Sequence, residues 1–219
     1  MHPPVGLSSS EIQKLSTVHR QNQNGKVRFL YAGNLCAFRG VSLVLQAFAQ
    51  IRRRSPAVEL WIVGDGPDRE RLVRETEELD ASEGIKFWGL VPRHELLARL
   101  VECNVLVYPC LRGAISMVCL EAMAAGLPII CLDLGGTGLQ VTEHTGIKMP
   151  AVTPQQVTHD LTDAMWRLTE DGDLRQRMGT AARKRVGDEF SWDAKGSRMS
   201  EIYRQAVTAS RTGSRRSVF

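Results

Sequence analysis

The sequence predicts an α/β fold: a parallel sheet of five to six strands covered by helices on both faces, with extra helices toward the C-terminal end. Two observations carry this. From residue 26 onward, short Val-, Ile- and Leu-rich runs alternate with segments of helical spacing, and such runs read as strands buried on both faces. The residues of unusual chemistry, glycines and isolated charges, fall just after those runs, where open α/β sheets take their ligands. Strands joined in parallel need a crossover, and helical crossovers cover the sheet.

Each element has its own warrant. Residues 1–25 are polar and turn-rich and read as a linker or hinge remnant, with Ser8-Ser9-Ser10-Glu11 a candidate helix start. Val27–Ala32, ending at Gly33, is the first strand. Apolar residues at 41, 44, 45, 48 and 51 make Gly40–Arg54 a helix. Val58–Val63 is the second strand, followed by Gly64-Asp65-Gly66-Pro67. Asp68–Leu79 is a charged helix with Pro67 near its first turn, where a missing N–H costs little. Ile85–Trp88, Val105–Tyr108 and Pro128–Leu132 are further strands, separated by helices over Arg93–Glu102 and Ser116–Ala125. Gly146–Met149 is an edge strand, and beyond it the pattern is helical only, over 154–170, 172–187 and 192–208. Residues 209–219, rich in Ser and Arg, read as a flexible tail. The body of the chain, 26–208, is thus one Rossmann-like domain.

A length of 219 residues suits one domain with some surplus, at roughly 150 residues per domain. Apolar residues at 43% and charged residues at 24% exclude wholesale disorder and fibrous repeats. A formal charge of +4 is too small, without a clustered patch, to argue for a nucleic-acid partner. Cys36, Cys103, Cys110, Cys119 and Cys131 show no two-residue spacing and the histidines no metal spacing, so neither a metal site nor a disulfide framework is expected. The expected compartment is the reducing cytoplasm, with no signal peptide and no run of about 18 apolar residues to span a membrane. Arg52-Arg53-Arg54 reads two ways: a peripheral contact with anionic lipid at the inner membrane face, or a solvated helix end favoured by the dipole.

Four segments carry chemistry. In Gly64-Asp65-Gly66-Pro67 the glycines allow a tight turn and close ligand approach before a helix N-terminus that favours negative charge. Arg69 stands where a dinucleotide fingerprint would place its third glycine, and the segment reads equally as a plain turn. Between Gly33 and Gly40, Arg39 offers a planar donor fork to a diphosphate, or is a solvated loop arginine. The stretch Pro109–Pro128 is the most informative, because the helix that begins at Ser116 carries a single charge, Glu121. A lone carboxylate on an apolar helix is costly to bury unless donors reach it, and a ribose diol supplies two O–H donors. The first-turn amides around Ser116, Met117 and Val118 suit phosphate. The alternative is a carboxylate at a solvated edge. Gly135-Gly136-Thr137-Gly138 reads as a close-approach loop or a flexible turn. Arg39, Gly64, Glu121 and the 135–138 loop are expected to line one cleft at the carboxyl edge of the sheet.

These segments resemble the C-terminal, donor-binding half of retaining glycosyltransferases of the two-Rossmann-domain (GT-B) type, in the large group 1 (family 4-type) family. The resemblance covers about residues 26–208. It is carried by Val63-Gly64-Asp65-Gly66-Pro67, Phe87-Trp88-Gly89-Leu90-Val91-Pro92, Leu120-Glu121-Ala122-Met123-Ala124-Ala125-Gly126-Leu127-Pro128 and Phe190-Ser191-Trp192. It implies carbohydrate biosynthesis, a nucleotide-diphosphate sugar as donor substrate, and no metal or other cofactor. In the loop at 33–40, which holds the diphosphate in relatives, Asn34 replaces an arginine and Arg39 a lysine. Glu121 matches the second of the family's two glutamates, the one that binds the ribose, and Gly113 stands where the first, on the sugar side, belongs. Ala114, Ile115 and Ser116 replace a small-aromatic-small run, while the amides of Ser116, Met117 and Val118 keep their phosphate role. Gly33, Gly64 and Gly66 shape the donor loops, and Trp88, Leu90 and Val91 flank the base. Arg39 and Glu121 are the residues assigned to catalysis, with Arg39 and the helix amides stabilising the departing diphosphate.

The resemblance also implies an acceptor domain on the N-terminal side, for which 25 polar residues supply no material. The expectation is therefore a donor half that is inactive without a separate acceptor domain or subunit. The losses at Gly113 and Asn34 motivate a second reading, a non-catalytic nucleotide-binding or interaction module. A nicotinamide-dependent oxidoreductase rests on Gly64-Asp65-Gly66 alone, and the missing third glycine speaks against it.

Overall fold

A computed structural model of the chain describes residues 6–17, 25–113 and 115–211, with side chains to residue 208. Strands β1 (Val27–Ala32), β2 (Val58–Val63), β3 (Ile85–Gly89), β4 (Val105–Tyr108), β5 (Ile129–Leu132) and β6 (Gly146–Met149) form a single sheet in the order β3-β2-β1-β4-β5-β6. Every pairing is parallel. All residues of β4 and β5 are buried, which is why these segments are unbroken apolar runs rather than alternating ones.

The strand order reverses between β1 and β4, and this decides where the helices lie. A right-handed crossover leftward from β1 to β2 and from β2 to β3 puts α2 (Val41–Arg54) and α3 (Arg69–Glu78) on one face. The rightward moves from β3 to β4, β5 and β6 put α4 (Arg93–Glu102), α5 (Met117–Ala124) and α6 (Gly135–Gln140) on the other. The C-terminal helices then wrap the domain: α7 (Pro154–Glu170) packs on α2 and β6, and α8 (Gly172–Arg185) on α5. Thr153 caps α7 through its side chain, ahead of Pro154 at the first helical position, and Asp171 caps α8.

Three expectations change. The glycine segment 135–138 is not an irregular turn but the start of α6, since Leu134 is extended and Gly135 takes a φ of +54° that starts the helix without a Cβ penalty. The helix expected over 172–187 ends at Arg185 and widens into a π-turn over Val186–Phe190, which delivers Phe190 to the core and Ser191 to a bridge with Leu7. The described part of the polar N-terminus, residues 6–17, is docked on the domain. Leu7 is fully buried, and α1 (Ser9–Thr17) packs against α5. Residues 1–5 and 18–24 of that stretch, and 212–219 of the expected tail, lie outside the described residues.

The last helix, α9 (Trp192–Arg211), leaves the body of the domain: from Gly196 to Thr208 every residue is exposed, including Met199, Ile202, Tyr203 and Val207. The three consecutive arginines end α2 with internal partners. Arg52 reaches the Pro56 and Val58 carbonyls, Arg53 the Leu79 carbonyl, and Arg54 lies 3.8 Å over the Trp166 ring. Among the described residues no helix is long and apolar enough to cross a membrane.

Candidate functional site

At the switch between β1 and β4 the carboxyl ends of the strands open on a cleft of about 480 Å³. Its walls come from four separate loops. The ends of β1, β2 and β4 supply Ala32, Val63 and Tyr108; the segments after β1, β2 and β3 add Asn34, Asp65, Leu90 and Val91. Val118, in the first turn of α5, closes the far side. The lining is mostly apolar with a few polar groups, the composition expected of a small-molecule site. Leu90 is 82% exposed at the mouth.

Backbone hydrogen bonds lace these loops together. Gly33 N–H donates to the Val63 carbonyl at 3.0 Å, Gly64 N–H to Gly89 at 2.8 Å, Leu35 N–H to Asp65 at 2.9 Å and Asp68 N–H back to Leu35 at 3.0 Å. This closeness explains the glycines. A Cβ on Gly64 would overlap the Gly33 carbonyl, and one on Gly66 would overlap Asn34 Oδ1 and the Leu35 carbonyl. Gly64 also holds a φ of +131°. The contacts that demand glycine at 64 and 66 are therefore between loops, which rigidifies the cleft wall.

The sequence-chosen residues divide in two. Gly33, Asn34, Gly64, Leu90, Val91 and Val118 are brought together in the lining. Arg39 stands behind it. Its Nη1 contacts the hydroxyl of the lining residue Tyr108 and lies 3.4 Å from Cys110 Sγ. Trp88 points elsewhere, edge-on to Trp61, with Lys86 Nζ at 3.6 Å and Arg99 at 3.9 Å from its ring centroid. Its ring faces are thus engaged by cations on the outer edge of the sheet. Gly113 and Ile115 lie outside that lining; the Gly113 carbonyl accepts from Gly136 N–H, so α6 rests on that loop.

Two expected binding groups already have protein partners. The buried Gln140 side chain at the end of α6 grips Ser116 at both ends, donating to its carbonyl and accepting from its N–H, each at 2.9 Å. Ser116 N–H is therefore taken, whereas Met117 and Val118, as first-turn residues of α5, have N–H groups with no acceptor inside the helix. Glu121 is 4% exposed, and its Oε1 accepts a 2.6 Å hydrogen bond from Arg93 Nε at the start of α4. Burial pushes the Glu121 carboxyl above its ordinary value, against the pull of Arg93. Arg93 in turn reaches Glu11 of α1, Nη1 to Oε1 at 2.9 Å.

Glu11 belongs to a reciprocal N-terminal cap of α1: Ser8 N–H and Oγ–H donate to Oε2 at 2.9 and 2.8 Å, while Glu11 N–H donates to Ser8 Oγ. The Ser8 N–H, then the Ser8 hydroxyl, with Arg93 in support, hold the Glu11 carboxyl down to about 2. Tyr108, Gln140, Arg93 and Glu11 were missed in the sequence. Only Glu11 had a signal, the Ser-x-x-Glu spacing. Among the described residues no group of three or more His, Cys, Asp and Glu side chains is placed to hold a metal.

Known proteins place this geometry in context. The profile described as "Glycosyl transferases group 1" matches residues 14–185. A glycogen synthase of Mycobacterium tuberculosis is 29% identical over 193 residues, covering 88% of this chain and 46% of that protein. A GDP-mannose-dependent α-(1-6)-phosphatidylinositol monomannoside mannosyltransferase of Mycolicibacterium smegmatis is 31% identical over 171 residues, 75% of this chain and 44% of that protein. A sucrose-phosphate synthase structure from Thermosynechococcus elongatus superposes with a TM-score of 0.73 at 25% identity, covering 94% of this chain and 52% of that one. The chain spans about half the length of the relatives it matches, and its sheet is that of one half of a GT-B enzyme. From the six-stranded sheet, the cleft at its switch point and a profile match over most of its length, the chain belongs to the group 1 glycosyltransferase family.

Proposed function

We propose that this chain is the donor-binding half of a retaining glycosyltransferase and takes a nucleotide-diphosphate sugar in the carboxyl-edge cleft, together with an acceptor-binding domain elsewhere in sequence or on a second chain. The observation that carries the reading is the convergence of Asn34, of Leu90 and Val91, and of Val118, from three separate segments, on one largely apolar cleft beside the α5 N-terminus. An aromatic base suits the Leu90 and Val91 wall. The ribose diol goes to Glu121, and the diphosphate to the Met117 and Val118 amides with Arg39 behind them.

In the transfer the bond between the anomeric carbon and the diphosphate oxygen breaks, and the acceptor oxygen bonds to the same face of that carbon. The acceptor proton passes to the leaving phosphate oxygen, so no nucleophile of this chain is consumed. What the chain contributes is positive potential where negative charge develops. These residues build one wall of the reaction cleft, and turnover needs the acceptor-binding domain as the other. A cytoplasmic setting fits such a donor.

A second reading, a non-catalytic nucleotide-binding module, is favoured by Gly113 and by the capture of Ser116 N–H by Gln140. Calorimetric titration with nucleoside diphosphates and with their sugar conjugates separates the two. A gain in affinity from the sugar supports the donor reading, equal affinities support the module, and no saturable binding by any nucleotide defeats both.

A further inference from the structure

Glu121 lies where α1, α4 and α5 meet, and what holds it is not fixed in the core. The Arg93 side chain is 51% exposed, reaching in from solvent to Glu121 while its other end is braced by Glu11. Glu11 is itself tied down by Ser8. Three helices far apart in sequence thus meet in one chain of charges, carboxylate, guanidinium, carboxylate. Their neighbours belong to the cleft: Arg93 follows directly on Leu90, Val91 and Pro92, and Val118 lies one turn before Glu121. A diol that took both oxygens of the Glu121 carboxylate would need the place where Arg93 Nε now stands.

We propose that Arg93 is a further residue of the donor site, a displaceable occupant that holds the Glu121 carboxylate in the ligand-free chain and yields it to the ribose diol of a nucleoside diphosphate. Glu11 of α1 sets how firmly Arg93 is held. The inference rests on the ribose role of Glu121 proposed above. It gives the polar N-terminal helix a function in the site: α1 packs on α5, and its carboxylate biases the one side chain that must move. Such a side chain leaves its position at moderate cost, because half of it is exposed and Glu11 remains as its partner.

The test compares the wild-type chain with Arg93→Gln and Glu11→Gln by calorimetry at pH 8. The probes are UDP, GDP and ADP and their 2′,3′-dideoxy analogues. Glutamine at 11 preserves the reciprocal cap, so this variant stays folded if Arg93→Gln does not, and thermal melts verify both. The expected result is ribonucleotide binding tightened about tenfold by Arg93→Gln and less by Glu11→Gln, with the dideoxy analogues unaffected. Two outcomes overturn the proposal while leaving the donor site intact: wild-type ribonucleotide binding that neither variant strengthens, or a gain shared equally by the dideoxy probes. Failure of every protein to bind any nucleotide overturns the donor reading itself and the proposal with it.

Discussion

Gly113 and Glu121 are eight positions apart in sequence and differ completely in what the fold asks of them. A Cβ at 113 would meet, among the described residues, only Cys110 Sγ, at 3.6 Å. Gly113→Glu should therefore leave stability within about 0.5 kcal/mol, as for ordinary surface changes, and should raise the preference for nucleotide sugar over bare nucleoside diphosphate in a calorimetric comparison. Glu121 is the opposite case, buried with its charge answered by Arg93. Glu121→Gln should weaken nucleoside diphosphate binding by about tenfold or more, since a hydrogen bond to a charged group contributes roughly 1.5–3 kcal/mol, with the melting curve still cooperative. Direct binding measurements on the folded variant check it. Glu11 governs a response to acid. Its folded carboxyl is depressed from 4.5 to about 2, so the stability it contributes is complete above its ordinary value and is lost as pH falls toward 2. Acid unfolding of wild type should include this loss, and Glu11→Gln should not show it.

The elements explain which parts of the site were readable in advance. All six strands were legible because buried parallel strands are short continuous apolar runs, and their carboxyl ends marked the cleft before any coordinates did. The helix α6 was not, since Gly135, Gly136 and Gly138 suggest a turn; what makes it a helix is tertiary, the Gly113 carbonyl and the Gln140 grip on Ser116. The ion chain through Arg93 was equally invisible, because its members lie 82 and 28 residues apart and no local pattern announces such a meeting. Gly64 reads in the sequence as a tight turn or a point of ligand approach; the structure places it in the cleft lining and adds a contact with the neighbouring loop at Gly33. Gly64→Ala should accordingly cost about 3 kcal/mol or more, from overlap with the Gly33 carbonyl and an unfavourable φ. Chemical denaturation reads it, and cleft binding should fail in parallel.

On the scale of the molecule, one compact unit carries the chemistry and one helix stands apart from it. A chain ending at residue 196 removes only exposed residues among those described, so its melting temperature should lie within about 2 °C of the full chain; scanning calorimetry decides. The chain spans about half the length of the relatives it matches. The donor reading depends most on where a nucleotide sits against the carboxyl-edge cleft. A crystal structure of the chain with a bound nucleoside diphosphate tests this directly. It should show ribose hydroxyls on the Glu121 carboxylate, Arg93 turned away, and phosphate oxygens at the Met117 and Val118 amides. A nucleotide bound elsewhere, with the Glu121–Arg93 pair still closed, would contradict it.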